Sequence, residues 1–430
     1  KENSNTMRLK DMGIKVFIGH DASHIREADL VAYSSAVNQE NPELTEALSL
    51  KLPVLKRAEM LSFIMNRFKK RVAVAGTHGK TTTTSMLAKI FMDAGADPTF
   101  LIGGETNYVD GNARLGNGDY AIAEADESDG SFLELSPNIS IITNIEPDHM
   151  EFFGTEEKLM QVFRDFIGRL DDDGLLILGI DSPRTRSLIG HTGKKTITYG
   201  FSDDADMRAV NLSFDGMGSR YNVVYGGKEL GEARLSIPGE QNVNNSLAAI
   251  LVAVEAGIPF NSISASLHSF TGAKRRFQII GEAGGITVID DYAHHPTEIK
   301  ATLKAARNAW SGGKRIIAVF QPHRYSRTFH LAAQFCDAFE DADLVVLTDI
   351  YSAGEQPIPH VDGRMIAKEI EKRKAVTYIP RKERIAEKIL KTLRPDDMVL
   401  IMGAGDIYTV AKDLLTRIKI AQEKAKGKPE

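Results

Sequence analysis

Apolar residues along this chain come in short runs, separated by polar turns and by stretches with helical spacing. Val72-Ala73-Val74-Ala75 is the clearest run and fits a strand buried on both faces. Gly76-Thr77-His78-Gly79 breaks it, and Lys80 with Thr81 opens a helical run through Ser85-Met86-Leu87-Ala88-Lys89-Ile90. Upstream, residues 15–19 and 29–33 read as strands, and Asn41-Pro42-Glu43-Leu44 starts a helix with proline in its first turn. Downstream, strands are predicted at 119–123 and 140–144. From about 195 to 237 the period changes to two, interrupted by Asp215-Gly216-Met217-Gly218 and Gly226-Gly227. That pattern predicts a small antiparallel meander inserted in the central unit. An apolar helix is expected at 246–256. Beyond Lys274-Arg275-Arg276-Phe277-Gln278, strands at 286–290, 315–320, 343–347 and 398–402 alternate with helical runs, which argues for a mostly parallel sheet.

The class is therefore α/β, and 430 residues are too many for one ordinary core. Three domains are expected: 1–69, 70–271 and 272–430. The first opens abruptly at Lys1-Glu2-Asn3 without a glycine-rich strand–helix turn, so the start of a nucleotide-fold domain is expected to be missing. Hydrophobic and charged fractions of 42% and 26% are those of a water-soluble globular chain, and no run has the length of a membrane span. A single cysteine, Cys336, excludes an intramolecular disulfide framework and fits a reducing cytoplasm; its apolar helical setting suggests a buried thiol. A net charge of −5 gives no general attraction to nucleic acid, so local arginine clusters point to small anionic ligands.

Strand, glycine turn and helix start make a phosphate cradle of Gly76, Thr77, His78, Gly79, Lys80, Thr81 and Thr82. Backbone N–H groups and the helix dipole face the anion, Lys80 neutralises terminal phosphates, and a threonine hydroxyl can ligate Mg²⁺. The general loop pattern asks for a glycine where this chain has Val74, so the loop is of a compact type. The strand at 119–123 runs into Glu124-Ala125-Asp126-Glu127-Ser128-Asp129, where four carboxylates in six residues repel one another unless a cation compensates. Asn242 and Asn245 precede the apolar helix and, read alone, cap it. Read alone, His149 is a hydrogen-bonded loop residue. Asp290-Asp291-Tyr292-Ala293-His294-His295-Pro296 and Phe320-Gln321-Pro322-His323-Arg324-Tyr325-Ser326-Arg327 lie at the carboxyl ends of two strands, where open α/β sheets bind ligands. Gly403-Ala404-Gly405 is too incomplete for a dinucleotide fingerprint and reads as a tight turn near the cleft.

GTHGKTTTT, EADESD, RRFQ, DDYAHHPTE and FQPHRYSRT occur in the order and setting found in the Mur ligases, which the chain resembles over nearly its whole length. The resemblance implies a partial Rossmann-like N-terminal domain, a P-loop-type central ATPase domain with a small antiparallel insert, and a Rossmann-like C-terminal domain. It implies a monomer or weak homodimer without membrane insertion, using ATP and Mg²⁺ to join UDP-N-acetylmuramate to L-alanine through an acyl phosphate. Thr81, Glu124 and His149 would hold metal, Asn242 and Asn245 would lie beside the adenine, and Arg276 would reach the triphosphate across the cleft. Lys80, Glu124, His149, Arg276, Asp291 and His295 form the catalytic set, with His295 or Asp291 orienting or deprotonating the amine. Ser34, Ser35, Ser128, His295, Arg324 and Arg327 are the substrate-binding candidates, the arginines through planar pairing with a carboxylate. Several relatives carry a carbamoylated lysine where this chain has Arg164, and that feature does not carry over. Rival readings are a recycling ligase that attaches a whole peptide, a P-loop ATPase coupled to partner binding, and a dinucleotide-fold oxidoreductase, which lacks its fingerprint.

Overall fold

Three sheets organise the chain in a computed structural model that describes residues 2, 4–109, 111–190, 193–310 and 313–426. Lys1 and Asn3 of the abrupt opening lie outside the described residues. Among the described residues, the N-terminal region has one parallel pair, β1 (Val31–Tyr33) and β2 (Val54–Lys56). Residues 15–19 were expected as a strand, but they run as irregular chain. Phe17 and Ile18 are exposed there, and Phe17 stacks on His24 at 4.1 Å instead of joining a ladder. A lone apolar run cannot hold a strand without a neighbour to pair its backbone.

The central domain is built on a ten-stranded sheet. Its strands are β3 (Lys70–Ala75), β4 (Thr99–Leu101), β5 (Ala113–Arg114), β6 (Tyr120–Glu124), β7 (Ile139–Ile142), β8 (Leu175–Gly179), β9 (Lys195–Gly200), β10 (Met207–Asp215), β11 (Gly218–Tyr225) and β12 (Lys228–Leu235). The spatial order is β12-β11-β10-β9-β8-β7-β3-β6-β4-β5. β10, β11 and β12 form the expected antiparallel meander. β9, also within the expected stretch, pairs in parallel with both β8 and β10, so the meander continues the main sheet. Residues alternate faces along β3. Val72 and Val74 join one core with Leu247 and Leu251, while Ala73 and Ala75 join the other with Phe163 and Phe166. Both faces being covered explains the unbroken apolar run.

Two helices frame the loop after β3. α1 (Lys80–Asp93) begins directly at its last residue, and α2 (Glu240–Glu255) packs alongside. α2 starts six residues earlier than its apolar stretch suggested, which places Asn242 and Asn245 inside it. The cap is Gly239, and Asn242 donates to the Pro238 carbonyl at 2.6 Å.

The C-terminal sheet has β13 (Gln278–Ala283), β14 (Ile286–Asp291), β15 (Ile316–Phe320), β16 (Leu344–Leu347), β17 (Val376–Tyr378) and β18 (Met398–Met402) in the order β13-β14-β18-β15-β16-β17. All neighbours are parallel except β13 with β14. Met398, Leu400 and Met402 face one core, Val399 and Ile401 the other. The last strand therefore sits in the middle, between the two strands whose tips carry the polar motifs. α3 (Pro296–Ala309) follows β14, and α4 (Tyr325–Leu331) follows β15. Cys336 ends a short 3₁₀ turn and is partly rather than fully buried. Among the described residues, no helix is long and apolar enough to cross a membrane.

Candidate active site

The turn after β3 owes its shape to two glycines with positive φ, +124° at Gly76 and +86° at Gly79. A Cβ at Gly76 would lie 2.2 Å from Thr143 Oγ1, and one at Gly79 2.2 Å from Asn245 Oδ1. Only glycine satisfies both the dihedral and the space. The loop is pinned from β7: Thr143 Oγ1 and Asn144 Nδ2 donate to the His78 carbonyl at 2.6 and 3.0 Å, and Asn144 Oδ1 accepts from the His78 N–H.

Lys80 curls back over this turn, donating to the Gly76 carbonyl at 2.6 Å and to Glu127 at 2.9 Å. Burial pulls its pKa down, but Glu127, Glu124 and Asp126 more than offset this and raise it. The four carboxylates of the acidic run are thus divided by function. Glu127 holds Lys80, and Glu124 accepts from Thr81 Oγ1 at 2.9 Å and from the Gly103 N–H at 2.8 Å. Asp126 caps the Ser128 N–H, and Asp129 caps the Ser131 N–H and meets Ser35. The Thr81 hydroxyl and the Glu124 carboxylate therefore form a pair of hard oxygen donors at the loop, a set that fits Mg²⁺.

The loop sits between two cavities. One, of about 520 Å³, is lined by Lys80, Glu124, Ser128, His149, Arg324 and Arg327. The other, of about 580 Å³, lies behind Gly79 and is lined by Thr82, Asn242, Asn245, Tyr199 and Phe277. Arg276 borders both, with its guanidinium 5.0 Å over the Tyr292 ring. The domain boundary here is backbone-strained: Arg275 and Phe277 have φ of +59° and +49°.

The strand tips of the C-terminal sheet are not adjacent, as the two motifs suggested. β18 separates them, and its Gly403-Ala404-Gly405 turn lies between. A Cβ at Gly403 would be 2.8 Å from the Gln321 carbonyl and one at Gly405 2.5 Å from Tyr351, so this turn lets the flanking tips converge. Asp291 is buried, with its oxygens taken by the Phe277 and Ala293 N–H groups at 2.7 Å each. Burial raises its pKa to about 6. Those bonds tie the domain boundary to β14, and Asp291 borders the cavity behind the loop rather than the one holding the arginines.

The two histidines of the HH pair part company. His294 lines the cavity with the arginines. His295 is 1% exposed and packs against His78, ring centres 4.7 Å apart. Burial lowers both to about 4. Glu298 is the hub beneath them, accepting from the His294 N–H at 3.0 Å and contacting His78 Nδ1 at 3.2 Å. Burial alone would lower His78, yet Glu146 and Glu298 on either side raise it to about 9.

Arg327 was expected to clamp a substrate carboxylate. Here it forms a two-pronged pair with Asp148, both bonds at 3.0 Å, and is 5% exposed. His323 Nδ1 receives a third bond at 3.0 Å. Arg324 has φ of +69° and pairs with Glu151 at 3.2 Å, so both arginines bridge to the central domain. His149, also left-handed at φ +54°, lies between Asp148 at 3.7 Å and Glu151 at 3.5 Å. Ser34 turns locally onto the Ala36 N–H. Arg164 is exposed on its helix and bonds Gln161. From sequence, Glu146 and Asp148 were given no role, and Tyr292, His294, Glu298 and His323 lay in the strand-tip motifs without individual roles. For His294 the signal was present, since neighbours on extended chain point opposite ways, but nothing local fixed which one faces the cleft.

Family models match three consecutive segments: the Mur ligase family catalytic domain at 1–69, the Mur ligase middle domain at 74–253, and the Mur ligase glutamate ligase domain at 275–405. The UDP-N-acetylmuramate–L-alanine ligase of Pelobacter propionicus is 46% identical over 417 residues, 96% of this chain and 90% of the relative. Among solved structures, the UDP-N-acetylmuramate–alanine ligase of Thermotoga maritima superposes with a TM-score of 0.82 at 30% identity, covering 98% of this chain and 92% of that one. A murein peptide ligase of Psychrobacter arcticus gives 0.68 at 25% identity, with coverage of 96% and 91%.

Proposed function

The chain belongs to the Mur ligase family, and on that premise we propose that it joins UDP-N-acetylmuramate to L-alanine in an ATP-dependent reaction of peptidoglycan precursor synthesis. The observation that carries this reading is a shared cavity. Lys80, Thr81 and Glu124 from the central domain border the same space as His294, Arg324 and Arg327 from the C-terminal domain.

In that reaction the lactyl carboxylate attacks the γ-phosphorus of ATP, giving an acyl phosphate and ADP. The amine of alanine then attacks the acyl carbon, phosphate leaves with the C–O electrons, and the amine gives up a proton. The loop amides, Lys80 and Arg276 offset the charge on the transferring phosphoryl group. Thr81 and Glu124 would hold Mg²⁺, with His149 on the same cavity, and the ion when bound neutralises phosphate charge. Thr82, Asn242 and Asn245 border the cavity behind the loop, a setting that suits adenine.

For the proton, His294 is better placed than Asp291 or His295, because it lines the cavity with Arg324 and Arg327. His294 Nδ1 lies 3.0 Å from the Tyr292 carbonyl, which assigns it the proton and leaves the Nε2 lone pair free to accept a hydrogen bond. With a pKa near 4 it is neutral at physiological pH. A substrate carboxylate would take over guanidinium contacts from Asp148 and Glu151, turning a domain bridge into a substrate clamp.

The test follows phosphate release with ATP and UDP-N-acetylmuramate, with L-alanine, with a cell-wall peptide, or with neither. Release dependent on L-alanine supports the proposal. Dependence on the peptide alone would move the chain to the recycling reaction, and equal release without either acceptor would leave only an ATPase.

A further inference from the structure

Beside the phosphate loop, three side chains converge from two domains. His78 comes from the phosphate loop, Glu146 from the segment after β7, and His295 from the start of α3. One ligand atom from each lies within 4.8 Å of the other two. His78 Nε2 is 3.4 Å and His295 Nδ1 3.7 Å from the same Glu146 oxygen. Ligands about 2.0–2.1 Å from a tetrahedral ion stand roughly 3.4 Å apart, so the His78–Glu146 edge already has ligand spacing and the remaining atoms close in by up to about 1.4 Å.

We propose that His78, Glu146 and His295 form a site for a divalent ion of zinc type, which clamps the phosphate loop to the C-terminal domain. Two imidazoles and one carboxylate are the donors of a borderline ion, unlike the all-oxygen surroundings that suit Mg²⁺. The surrounding groups support it. Glu298 meets Nδ1 of His78 and leaves Nε2 toward Glu146, the carboxylate–imidazole arrangement that orients metal-binding histidines. Thr297 Oγ1 holds the Glu146 oxygen at 2.6 Å. His295 is buried, its Nε2 has no hydrogen-bond partner, and its Nδ1 accepts from the Thr297 N–H at 3.3 Å, a long contact that the ion would replace. The cavity behind the loop, lined by His78 and Glu146, supplies an entry path and a water for the fourth position. Binding displaces the proton on His78. Because Gly79 and Lys80 follow directly, an ion here restrains the phosphate loop.

The site is separate from the ligase reading, and a binding measurement keeps the two apart. Zn²⁺ is titrated calorimetrically into the full chain in excess Mg²⁺, which occupies the hard oxygen sites. One equivalent is expected, with affinity at least tenfold weaker in both His295→Gln and Glu146→Gln and unchanged in Glu124→Gln. Melting curves check that each variant is folded. Co²⁺ added to the unmodified protein provides a reading independent of any variant: the intense visible bands of four-coordinate cobalt are expected. Weak six-coordinate bands, equal Zn²⁺ affinity in all proteins, or a loss confined to Glu124→Gln would each overturn the proposal.

Discussion

The phosphate loop and the C-terminal strand tips do comparable work at the carboxyl ends of parallel strands, yet they are built in opposite ways. The loop is continuous in sequence: β3, two glycines and the start of α1 put Lys80 and Thr81 in place within a few residues. The strand-tip site is assembled. Its histidines and arginines come from the ends of β14 and β15, separated by β18; the arginine charges are balanced by Asp148 and Glu151 of another domain, and His295 lies against Glu146. Where chemistry is local, one substitution removes one role. Where it is assembled, each side chain has partners on both sides of the cleft, and a substitution disturbs binding and domain closure together.

Lys80→Ala gives the largest expected effect on the local side of this comparison. It removes the phosphate counter-charge and should lower turnover about 10²-fold or more, several kcal/mol of transition-state stabilisation. The melting temperature of the variant should fall, because buried Glu127 loses its partner, so turnover is compared at a temperature where the variant is folded. Near-normal turnover in a folded protein would sink the nucleotide assignment.

Glu124→Gln keeps the shape and the contact with Thr81 but removes a charge. Activity should fall by about tenfold at low Mg²⁺ and recover partly at high Mg²⁺. Rates measured across a magnesium titration decide this, and a curve matching the parent's would shift the metal role to Asp126 or Glu127.

Arg327→Lys probes the assembled side. Lysine keeps the charge but loses the fork that grips Asp148 and, in the proposed cycle, a substrate carboxylate. Affinity for alanine or the muramate nucleotide should weaken by about 1.5–3 kcal/mol, with ATP affinity little changed. Initial rates over both substrates, together with calorimetry of ATP, separate the two. Loss of ATP affinity by the same factor would show that the two regions are one energetic unit.

A further effect is in pH. His78 has its pKa raised from 6.5 to about 9, so its clasp with Glu146 and Glu298 is complete below 6.5 and is lost as pH rises through 9. One such group gives a slope of at most about 1.4 kcal/mol per pH unit across that window. Denaturant unfolding of the parent should lose stability from pH 7 to 9.5, and His78→Asn should flatten that segment. Parallel profiles would remove His78 from the clasp.

The sequence by itself determined the parts whose physics is local. An apolar run ending in Gly76-Thr77-His78-Gly79 specifies strand, turn and anion-binding helix start, because glycine dihedrals and helix-end N–H groups are fixed over a few residues. The alternation of strands and helices likewise fixed three α/β units, and the motif order fixed the family. It did not determine the strand at 15–19, which depends on a partner strand, or whether β9–β12 stand apart, which depends on register. Nor did it decide which of His294 and His295 faces the cleft, or that Arg327 would find Asp148. Those outcomes rest on pairings between residues 179 positions apart, as for Arg327 and Asp148, or 220 apart, as for His78 and Glu298. Burial and charge compensation across a domain boundary select such pairs, and only the folded chain brings them within hydrogen-bonding distance.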